Sequence, residues 1–223
     1  MTYLERIFSW PYRKMNRIIK KADRTIFRPW LARNTSIYNW RKINLCCGNT
    51  KLVDYCGIDF TDAADMVLDL SKKNLPFRND SIDVIVCMSA INYFTRDRGS
   101  TLIQEVHRVL RPGGITRFGV QDMKSIAKRY VENDQDFFFQ KLSNGNDRFE
   151  GPTIGDKFAA WFYGYYTAGG PGRYFYDFES LAYLFKNAGF KIVERRAYRE
   201  SRLPEVFNID NRPDQMLFLE AIK

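Results

Sequence analysis

The sequence is poor in the residues from which metal sites and disulfide frameworks are built. It contains one histidine, His107, and four cysteines: Cys46, Cys47, Cys56 and Cys87. The cysteine spacing fits neither a paired zinc knuckle nor a disulfide framework, and His107 has no obvious partner as a metal ligand. We therefore predict that the cysteines are small apolar residues of buried strands and that the protein has no metal site.

Long apolar runs are also absent. No stretch of about 18 uncharged apolar residues occurs, which argues against a membrane-spanning helix. The charged N-terminus lacks the apolar core of a secretion signal, so the expected localisation is cytoplasmic. With 223 residues, of which 45% are hydrophobic and 27% charged, the composition is that of a globular protein with one domain and some appended material.

Acidic residues are almost missing from the N-terminal segment. Residues 1–42 contain eleven Lys or Arg but only Glu5 and Asp23 as acids, so they carry +9, which equals the net charge of the whole chain. The remainder is neutral and has no general attraction for polyanions. We predict a basic helical segment over residues 1–40 and one domain over residues 41–223.

The N-terminal segment has the pattern of a basic amphipathic helix. Pro11 suits its first turn, and Pro29 is expected to end it. Its apolar stripe consists of Tyr12, Met15, Ile19, Ala22 and Ile26. The stripe could dock on the protein's own domain or adsorb to an anionic membrane surface. Nucleic-acid binding is a weaker third interpretation, because the body has no second basic, aromatic-rich patch.

Short buried strands and turns alternate between residues 41 and 123. An amphipathic helix over Gly99–Leu110 is followed by Arg111-Pro112-Gly113-Gly114, which is expected to end it. The predicted strands are Lys42–Cys46, Val53–Ile58, Ala64–Leu70, Ile82–Cys87 and Ile115–Val120. This alternation is typical of a parallel sheet covered by helices.

These segments, in this order and at these distances, resemble the S-adenosylmethionine (SAM) binding half of class I methyltransferases. The resemblance is strong for residues 41–123 and looser to residue 223. It implies a three-layer α/β sandwich with a mostly parallel, Rossmann-like sheet of seven strands. The predicted strands Lys191–Tyr198 and Met216–Ile222 would form its antiparallel C-terminal edge, and the basic helical extension precedes it.

The resemblance places the cofactor at the carboxyl ends of the first four strands. Asp59 would accept the ribose hydroxyls, and Asp69 or the backbone of Leu70 would lie near the adenine amino group. The methionine part would lie against the turn that contains Cys46. The implied cofactor-binding residues are Cys46, Cys47, Gly48, Asn49, Asp59, Asp69, Leu70, Met88 and Ser89.

Residues that follow the fourth and fifth strands are the candidates for the acceptor side. They are Ser89, Tyr93, Gln121 and Asp122. Asp122 is the best available general base, and Tyr93 would orient the substrate, although an aromatic residue there can also serve packing alone. The aromatic and Gly-rich segment 149–173 is either a core helix followed by a loop or a wall of the substrate site.

The resemblance implies a SAM-dependent methyltransferase with a small-molecule or glycan acceptor. The chain is similar to methyltransferases of surface-polysaccharide pathways, which favours O-methylation of a sugar or a lipid-linked intermediate. A quinone-like lipid is the next candidate. The basic helix would suit an enzyme that is peripheral to the inner face of the membrane.

Three departures from the family pattern keep a second interpretation open. Cys46 stands at the position of the first glycine of the turn, and Asn44 replaces an acidic residue. Asn92-Tyr93 stands where many relatives have a Glu-His pair. A non-catalytic scaffold with a degenerate cofactor site, or a peripheral membrane-binding protein on the same fold, would also fit these residues.

Overall fold

A computed structural model of the chain describes residues 14–34, 40–164 and 171–223. The strands are β1 (Lys42–Leu45), β2 (Cys56–Asp59), β3 (Met66–Val67), β4 (Ile82–Met88), β5 (Leu110–Gln121), β6 (Ile192–Arg196) and β7 (Met216–Ile222). A helix over residues 14–34 includes a π-helical stretch at Asp23–Phe27. The other helices are Arg96–Val109, Met123–Val131, Gln135–Phe138, Ile154–Tyr163, Phe178–Asn187 and Val206–Ile209, with a 3-10 turn at Ile91–Tyr93.

The seven strands form one sheet in the order β3-β2-β1-β4-β5-β7-β6. The five strands from β3 to β5 are parallel to their neighbours, and β7 pairs antiparallel with both β5 and β6. Val84, Val86 and Met88 of β4 face one side of the sheet, and Ile85 and Cys87 face the other, as strand geometry requires. The predicted α/β sheet with its antiparallel edge is confirmed.

The strands β3 and β5 depart furthest from their predicted bounds, for local reasons. β3 is reduced to two residues, because only Met66 and Val67 pair with β2. β5 begins at Leu110 rather than Ile115: Leu110 already pairs with Ile82, and Ile115 pairs with Val84. The segment between them therefore bulges out of the ladder instead of separating helix from strand.

Two helices follow β5 and are separated by a turn. Met123–Val131 ends near Asn133, whose positive φ of 54° stops helical propagation. Asp134 then caps Gln135–Phe138 by accepting from the backbone N–H of Phe137. The helix Phe178–Asn187 begins with a capping box that Asp177 forms with Ser180.

Pro29 does not end the N-terminal helix, which continues to Asn34. Proline has no N–H, and its ring collides with the carbonyl one regular turn earlier. Here the π-helical stretch widens the turn just before Pro29, and the N–H of Arg28 donates to the carbonyl of Asp23, five residues back. The change of register accommodates the ring, so the helix persists. Pro11 and Tyr12 lie outside the described residues.

The N-terminal helix docks on the body through its polar side. Arg24 donates to the backbone carbonyl of Asp62 at 2.6 Å, and Arg28 donates to that of Asp65 at 2.9 Å. The apolar side faces outward, and each of its large side chains is more than half exposed. These residues are Met15, Ile18, Ile19, Ile26, Phe27 and Trp30. The interpretation in which this stripe docks on the protein's own domain is therefore wrong for the described residues.

A large core fills one face of the sheet. It packs the inward residues of β1 to β5 against the helices Arg96–Val109 and Phe178–Asn187. The opposite face carries a smaller core of Tyr55, Val84, Val86, Leu203 and Ile209. Leu203 and Ile209 belong to the segment between β6 and β7, residues 197–215, which we name the β6–β7 connection.

The β6–β7 connection occupies the place of a crossover helix. Parallel neighbours such as β1 and β2 are normally joined by a helical crossover that covers one sheet face. The ten residues 46–55 between them contain turns only. The connection covers this face instead, and Glu205 fixes it there by accepting from Lys42 Nζ at 2.8 Å and from Tyr55 Oη at 2.6 Å.

A buried ion pair ties the connection to the centre of the sheet. Arg117 of β5 donates to both carboxylate oxygens of Asp210, at 2.7 and 2.6 Å, and both side chains are fully buried. The same guanidinium donates to the backbone carbonyls of Ala197 and Glu200. Every contact of this arginine with the connection thus holds the segment against β5.

We predict that Asp210→Ala lowers the free energy of unfolding by about 3–5 kcal/mol, because the buried Arg117 loses the carboxylate to which it donates two hydrogen bonds. It keeps only the more distant carboxylate of Glu220, at 3.6 Å. Urea denaturation measures this loss. The double variant Arg117→Met, Asp210→Leu should lose clearly less. Lys128→Met is the control, since its pair with Glu132 is exposed and should contribute less than about 1 kcal/mol. Equal losses in Asp210→Ala and the control would contradict the buried pair.

Candidate functional site

A cleft opens at the carboxyl ends of β1 and β4, on the face that the β6–β7 connection covers. It is lined by Asn44, Cys46, Cys47, Thr50, Leu52, Val86, Met88, Asn208, Ile209 and Asn211. The residues come from four parts of the chain: β1, the turn after it, the end of β4 and the connection. Ligands of open parallel sheets bind at such carboxyl edges.

The turn after β1 has an open backbone at Gly48. Its φ of 52° lies in the left-handed region, and a Cβ built there would meet no atom within 4 Å. The N–H of Gly48 donates to Oδ2 of Asp59 at 3.0 Å. The space beside this glycine is therefore free for a ligand to approach the backbone closely.

Asp59 ends β2 beside this turn and is almost fully buried. Besides Gly48, it accepts from the N–H of Thr61, through Oδ1 at 2.9 Å. A carboxylate oxygen has two lone pairs, so each oxygen keeps capacity for a further donor. Asp59 thus fixes the turn and can still accept hydrogen bonds from the hydroxyl groups of a ligand.

Cys46 stands where the resembled pattern has its first glycine. The residue lines the cleft, and its side chain also packs against the large core. Its backbone is left-handed, with φ of 52°. A hydrogen bond with the thiol of Cys87, together with burial, raises the pKa of the Cys46 thiol well above its usual value. This cysteine is therefore neutral and acts as a packing residue.

Cys47 packs over β2. A Cβ on Gly57 would lie 2.8 Å from Cys47 Sγ, so the glycine makes room for the thiol. Burial raises the pKa of Cys47 to about 11. All four cysteines are free, and no cluster of three or more metal-ligating side chains occurs in the ranges that the structure describes.

The predicted adenine side lies after β3. Asp69 binds Lys72 at 2.8 Å and accepts from the N–H of Ser71 at 3.0 Å, and hydrogen bonds from these two residues hold the pKa of its carboxyl below the usual range. The carbonyl of Leu70 accepts from Arg98 at 2.7 Å. Asn49 is exposed in the turn after β1. The structure thus arranges these residues around the sheet edge, and their ligand contacts stay predictions.

The end of β4 borders the cleft through Met88. The next residue, Ser89, is left-handed, with φ of 55°. Its hydroxyl lies 3.4 Å from Oδ1 of Asn211 and 3.3 Å from Sδ of Met216. The β6–β7 connection is therefore hydrogen-bonded to the residue that directly follows β4.

A second cavity lies on the acceptor side, and we name it the aromatic cavity. It is lined by Asn92, Tyr93, Gln121, Trp161, Phe162, Gly172 and Phe175. Two of the candidates from the ends of β4 and β5, Tyr93 and Gln121, are brought together here. The aromatic segment after residue 149 contributes to the wall of this cavity and also to the core, since Trp161 is fully buried. Its role as a wall of the substrate site stays a prediction.

Asp122 has structural partners for both carboxylate oxygens. Oδ1 caps the helix Met123–Val131 by accepting from the N–H groups of Lys124 and Ser125, and Oδ2 binds Arg195 at 2.9 Å. These contacts explain its near-complete burial as a strand-end anchor. Its role as a general base stays a prediction.

Asn208 and Asn211 are site residues that the sequence reasoning missed. Both lie in the β6–β7 connection, which has no periodicity that would reveal its position. One signal was available: Arg117 interrupts the apolar run of β5, and a charged residue in a central strand requires a buried partner elsewhere. Asn44 faces the same cleft and is 5% exposed.

Comparison with known proteins identifies the domain type. Residues 41–118 match the family model described as "Methyltransferase domain". A mouse protein (Mus musculus) named "Probable tRNA methyltransferase 9B" is 34% identical over 85 residues, which cover 36% of this chain and 19% of that protein. The match therefore spans about a fifth of the length of this curated relative.

Solved structures share the fold at low sequence identity. A SAM-dependent methyltransferase from Archaeoglobus fulgidus is 11% identical, with a TM-score of 0.50 and full coverage of both chains. One from Clostridium acetobutylicum is 13% identical, with a TM-score of 0.50 and coverage of 93% of this chain and 98% of its own. Residues 41–118 thus match a methyltransferase domain, and the two solved structures share the fold of the chain. The predicted class, a SAM-dependent methyltransferase, agrees with this domain and this fold.

Proposed function

We propose that this chain transfers a methyl group from SAM to a small-molecule or glycan acceptor, and that a hydroxyl group of a sugar or a lipid-linked intermediate receives it. The observation that carries this proposal is the pair of spaces beside the end of β4. Met88 lines the cleft, and Asn92 and Tyr93 line the aromatic cavity a few residues further along the chain. Donor and acceptor sites at one strand end allow direct transfer.

The residues of the cleft fit the cofactor. The open space beside Gly48 admits close approach of a ligand to the turn, and Asp59 is placed to accept ribose hydroxyls. Asn44 and Asn208 add amide groups to the lining. When bound, the cofactor supplies a methyl group that its sulfonium already activates. Cys46 leaves room for the cofactor at this position of the turn, since its side chain packs on the large core.

The chain's own contribution to transfer is positioning. The aromatic cavity excludes water and presents the acceptor to the end of β4. We propose that Tyr93 orients the acceptor and that Asp122 receives the hydroxyl proton. For this second role, the carboxylate must loosen its contact with Arg195, whose side chain is 55% exposed. We also propose that residue 40 separates the basic helical segment from the methyltransferase domain.

We predict that S-adenosylhomocysteine binds the full chain with micromolar affinity and that Asp59→Ala weakens this binding at least tenfold. The substitution removes the carboxylate that would accept the ribose hydroxyls and that now accepts from the N–H of Gly48. Isothermal titration calorimetry measures both affinities. Glu179→Ala is the control, since it removes a carboxylate that is 77% exposed and lies outside the cleft. Urea denaturation of each variant confirms that it is folded.

The scaffold interpretation makes the opposite prediction for this titration. If the folded chain binds no S-adenosylhomocysteine, its cofactor site is degenerate and the enzymatic proposal fails. Equal affinities for Asp59→Ala and Glu179→Ala would instead remove Asp59 from the proposed site.

A tRNA acceptor is the second candidate. The mouse relative is named as a tRNA methyltransferase, and residues 1–42 carry the whole net positive charge. The neutral body argues against it. Incubation with radiolabelled SAM, and with either bulk tRNA or a panel of sugars and glycolipids, separates the two candidates: labelled tRNA alone would overturn the small-molecule proposal.

We also propose that the N-terminal helix adsorbs to an anionic membrane surface. None of the helices in the described ranges is long and apolar enough to cross a bilayer. The outward stripe from Met15 to Trp30 lies between basic residues such as Arg17 and Lys21, which suit anionic headgroups. The helix anchors to the body by its other side, so the stripe is available for the membrane.

We predict that Ile26→Glu strongly reduces binding to phosphatidylserine vesicles, because it places a charge in the stripe. Co-sedimentation with vesicles of phosphatidylcholine and phosphatidylserine measures the bound fraction. Val131→Glu is the matched control: Val131 is also exposed, at 83%, but lies on another helix. Binding that is unaffected by Ile26→Glu, or equally reduced by both substitutions, would contradict the membrane proposal.

A further inference from the structure

We infer that the aromatic cavity recognises two hydrogen-bond donors on a ring of the acceptor, through the side-chain amide oxygens of Asn92 and Gln121. This inference rests on the proposed function for the identity of the ligand as an acceptor. Its structural basis is independent of the cofactor cleft, and its test has a readout that does not require turnover.

The two amide oxygens are buried without partners. Asn92 is 1% and Gln121 is 4% exposed. Neither Oδ1 of Asn92 nor Oε1 of Gln121 has a hydrogen-bond partner among the described residues. A buried acceptor without a donor costs about 1–3 kcal/mol, so two such oxygens on residues that line one cavity indicate a site that a ligand completes.

The orientation of the Asn92 amide is fixed by its neighbours. Its Nδ2 donates to the backbone carbonyl of Tyr174 at 3.3 Å. A carbonyl only accepts, so the nitrogen must face Tyr174 and Oδ1 must face away from it. The backbone carbonyl of Asn92 accepts from the N–H of Arg173 at 2.8 Å and of Tyr174 at 3.2 Å, which clamps this segment beside the cavity.

Three aromatic side chains form the wall. Trp161 and Phe175 have ring centroids 5.3 Å apart, and Phe162 meets Phe175 edge to face at 4.9 Å. Trp161 Nε1 donates to Oε1 of Gln215 at 3.0 Å, which fixes the indole. Aromatic faces of this kind pack against the apolar face of a sugar or against a flat ring.

The cavity is narrow as it stands. The space between its walls is too small for a water molecule, so solvent does not satisfy the two oxygens. A ligand must part the rings of Phe162 and Phe175, and even a Cβ built on Gly172 would collide with the ring of Phe175. Binding therefore exchanges an aromatic contact for stacking on the ligand and two hydrogen bonds.

The recognised chemistry is a ring that bears at least two hydroxyl donors. Carboxamide oxygens accept from hydroxyl groups and carry no charge, so they do not select an anion or a cation. A sugar and an aromatic diol share this chemistry. A ring whose hydroxyl groups are all methylated keeps the same ring but has no hydrogen-bond donor.

The test is a chemical-shift titration of the isotope-labelled full chain by NMR, with S-adenosylhomocysteine present. The probes are catechol and methyl glucopyranoside, each beside its fully O-methylated analogue. Gln121→Leu removes one amide oxygen and keeps the volume. Thr116→Val is the matched control, because Thr116 Oγ1 is another buried oxygen of β5 without a partner among the described residues, and it does not line the cavity.

We expect at least one hydroxylated probe to bind, its methylated analogue to bind at least tenfold more weakly, and Gln121→Leu to weaken the probe at least tenfold. Thr116→Val should leave the affinity unchanged. Which probe binds decides between a sugar and a phenolic ring. Both variants should unfold at the same or a higher urea concentration than the parent, since each loses an unpartnered oxygen.

Three results would overturn the inference: no hydroxylated probe binds, the methylated analogues bind equally well, or Gln121→Leu binds like the parent. A clear loss of stability in Gln121→Leu alone would assign the oxygen a structural role instead. The separate titration with S-adenosylhomocysteine distinguishes these failures from a failure of the proposed function.

Discussion

The ion pair between Arg117 and Asp210 is the interaction on which the arrangement of the cleft depends. It joins the middle of β5 to the β6–β7 connection, in which the regular structure is one short helix, Val206–Ile209. A buried charge pair of this kind strongly disfavours states in which one partner leaves, because the other charge remains buried. The β6–β7 connection is therefore held over the sheet, and Asn208 and Asn211 are held at the cleft.

The connection also compensates for the short turn between β1 and β2. Without a crossover helix, the face formed by Asn44, Val86 and Met88 would be open to water. Leu203 and Ile209 bury it instead, and the same segment becomes a wall of the cleft that we propose for the cofactor. A separate aromatic cluster around Trp161 gives the aromatic cavity its wall. Stability and site construction thus depend on the same residues.

The sequence was sufficient for the elements whose determinants are local. The apolar run of β4 and the bounds of β7 follow from neighbouring residues, and the resemblance ordered these strands into a sheet. Features that depend on distant contacts did not follow. The outward direction of the N-terminal stripe is set by Arg24 and Arg28 meeting the backbone after β2, and the helix passes Pro29 because a π-helical stretch precedes it. The wall at Asn208 and Asn211 depends on Arg117, whose partner lies far along the chain.

We propose that the cofactor binds in the cleft between the turn after β1 and the β6–β7 connection. Hydrogen exchange of the full chain, measured by mass spectrometry with and without S-adenosylhomocysteine, is the test of this position. We expect the ligand to slow exchange both in residues 46–50 and in residues 206–211. Protection of residues 46–50 with no change in residues 206–211 would show that the connection is not a wall of the cofactor site.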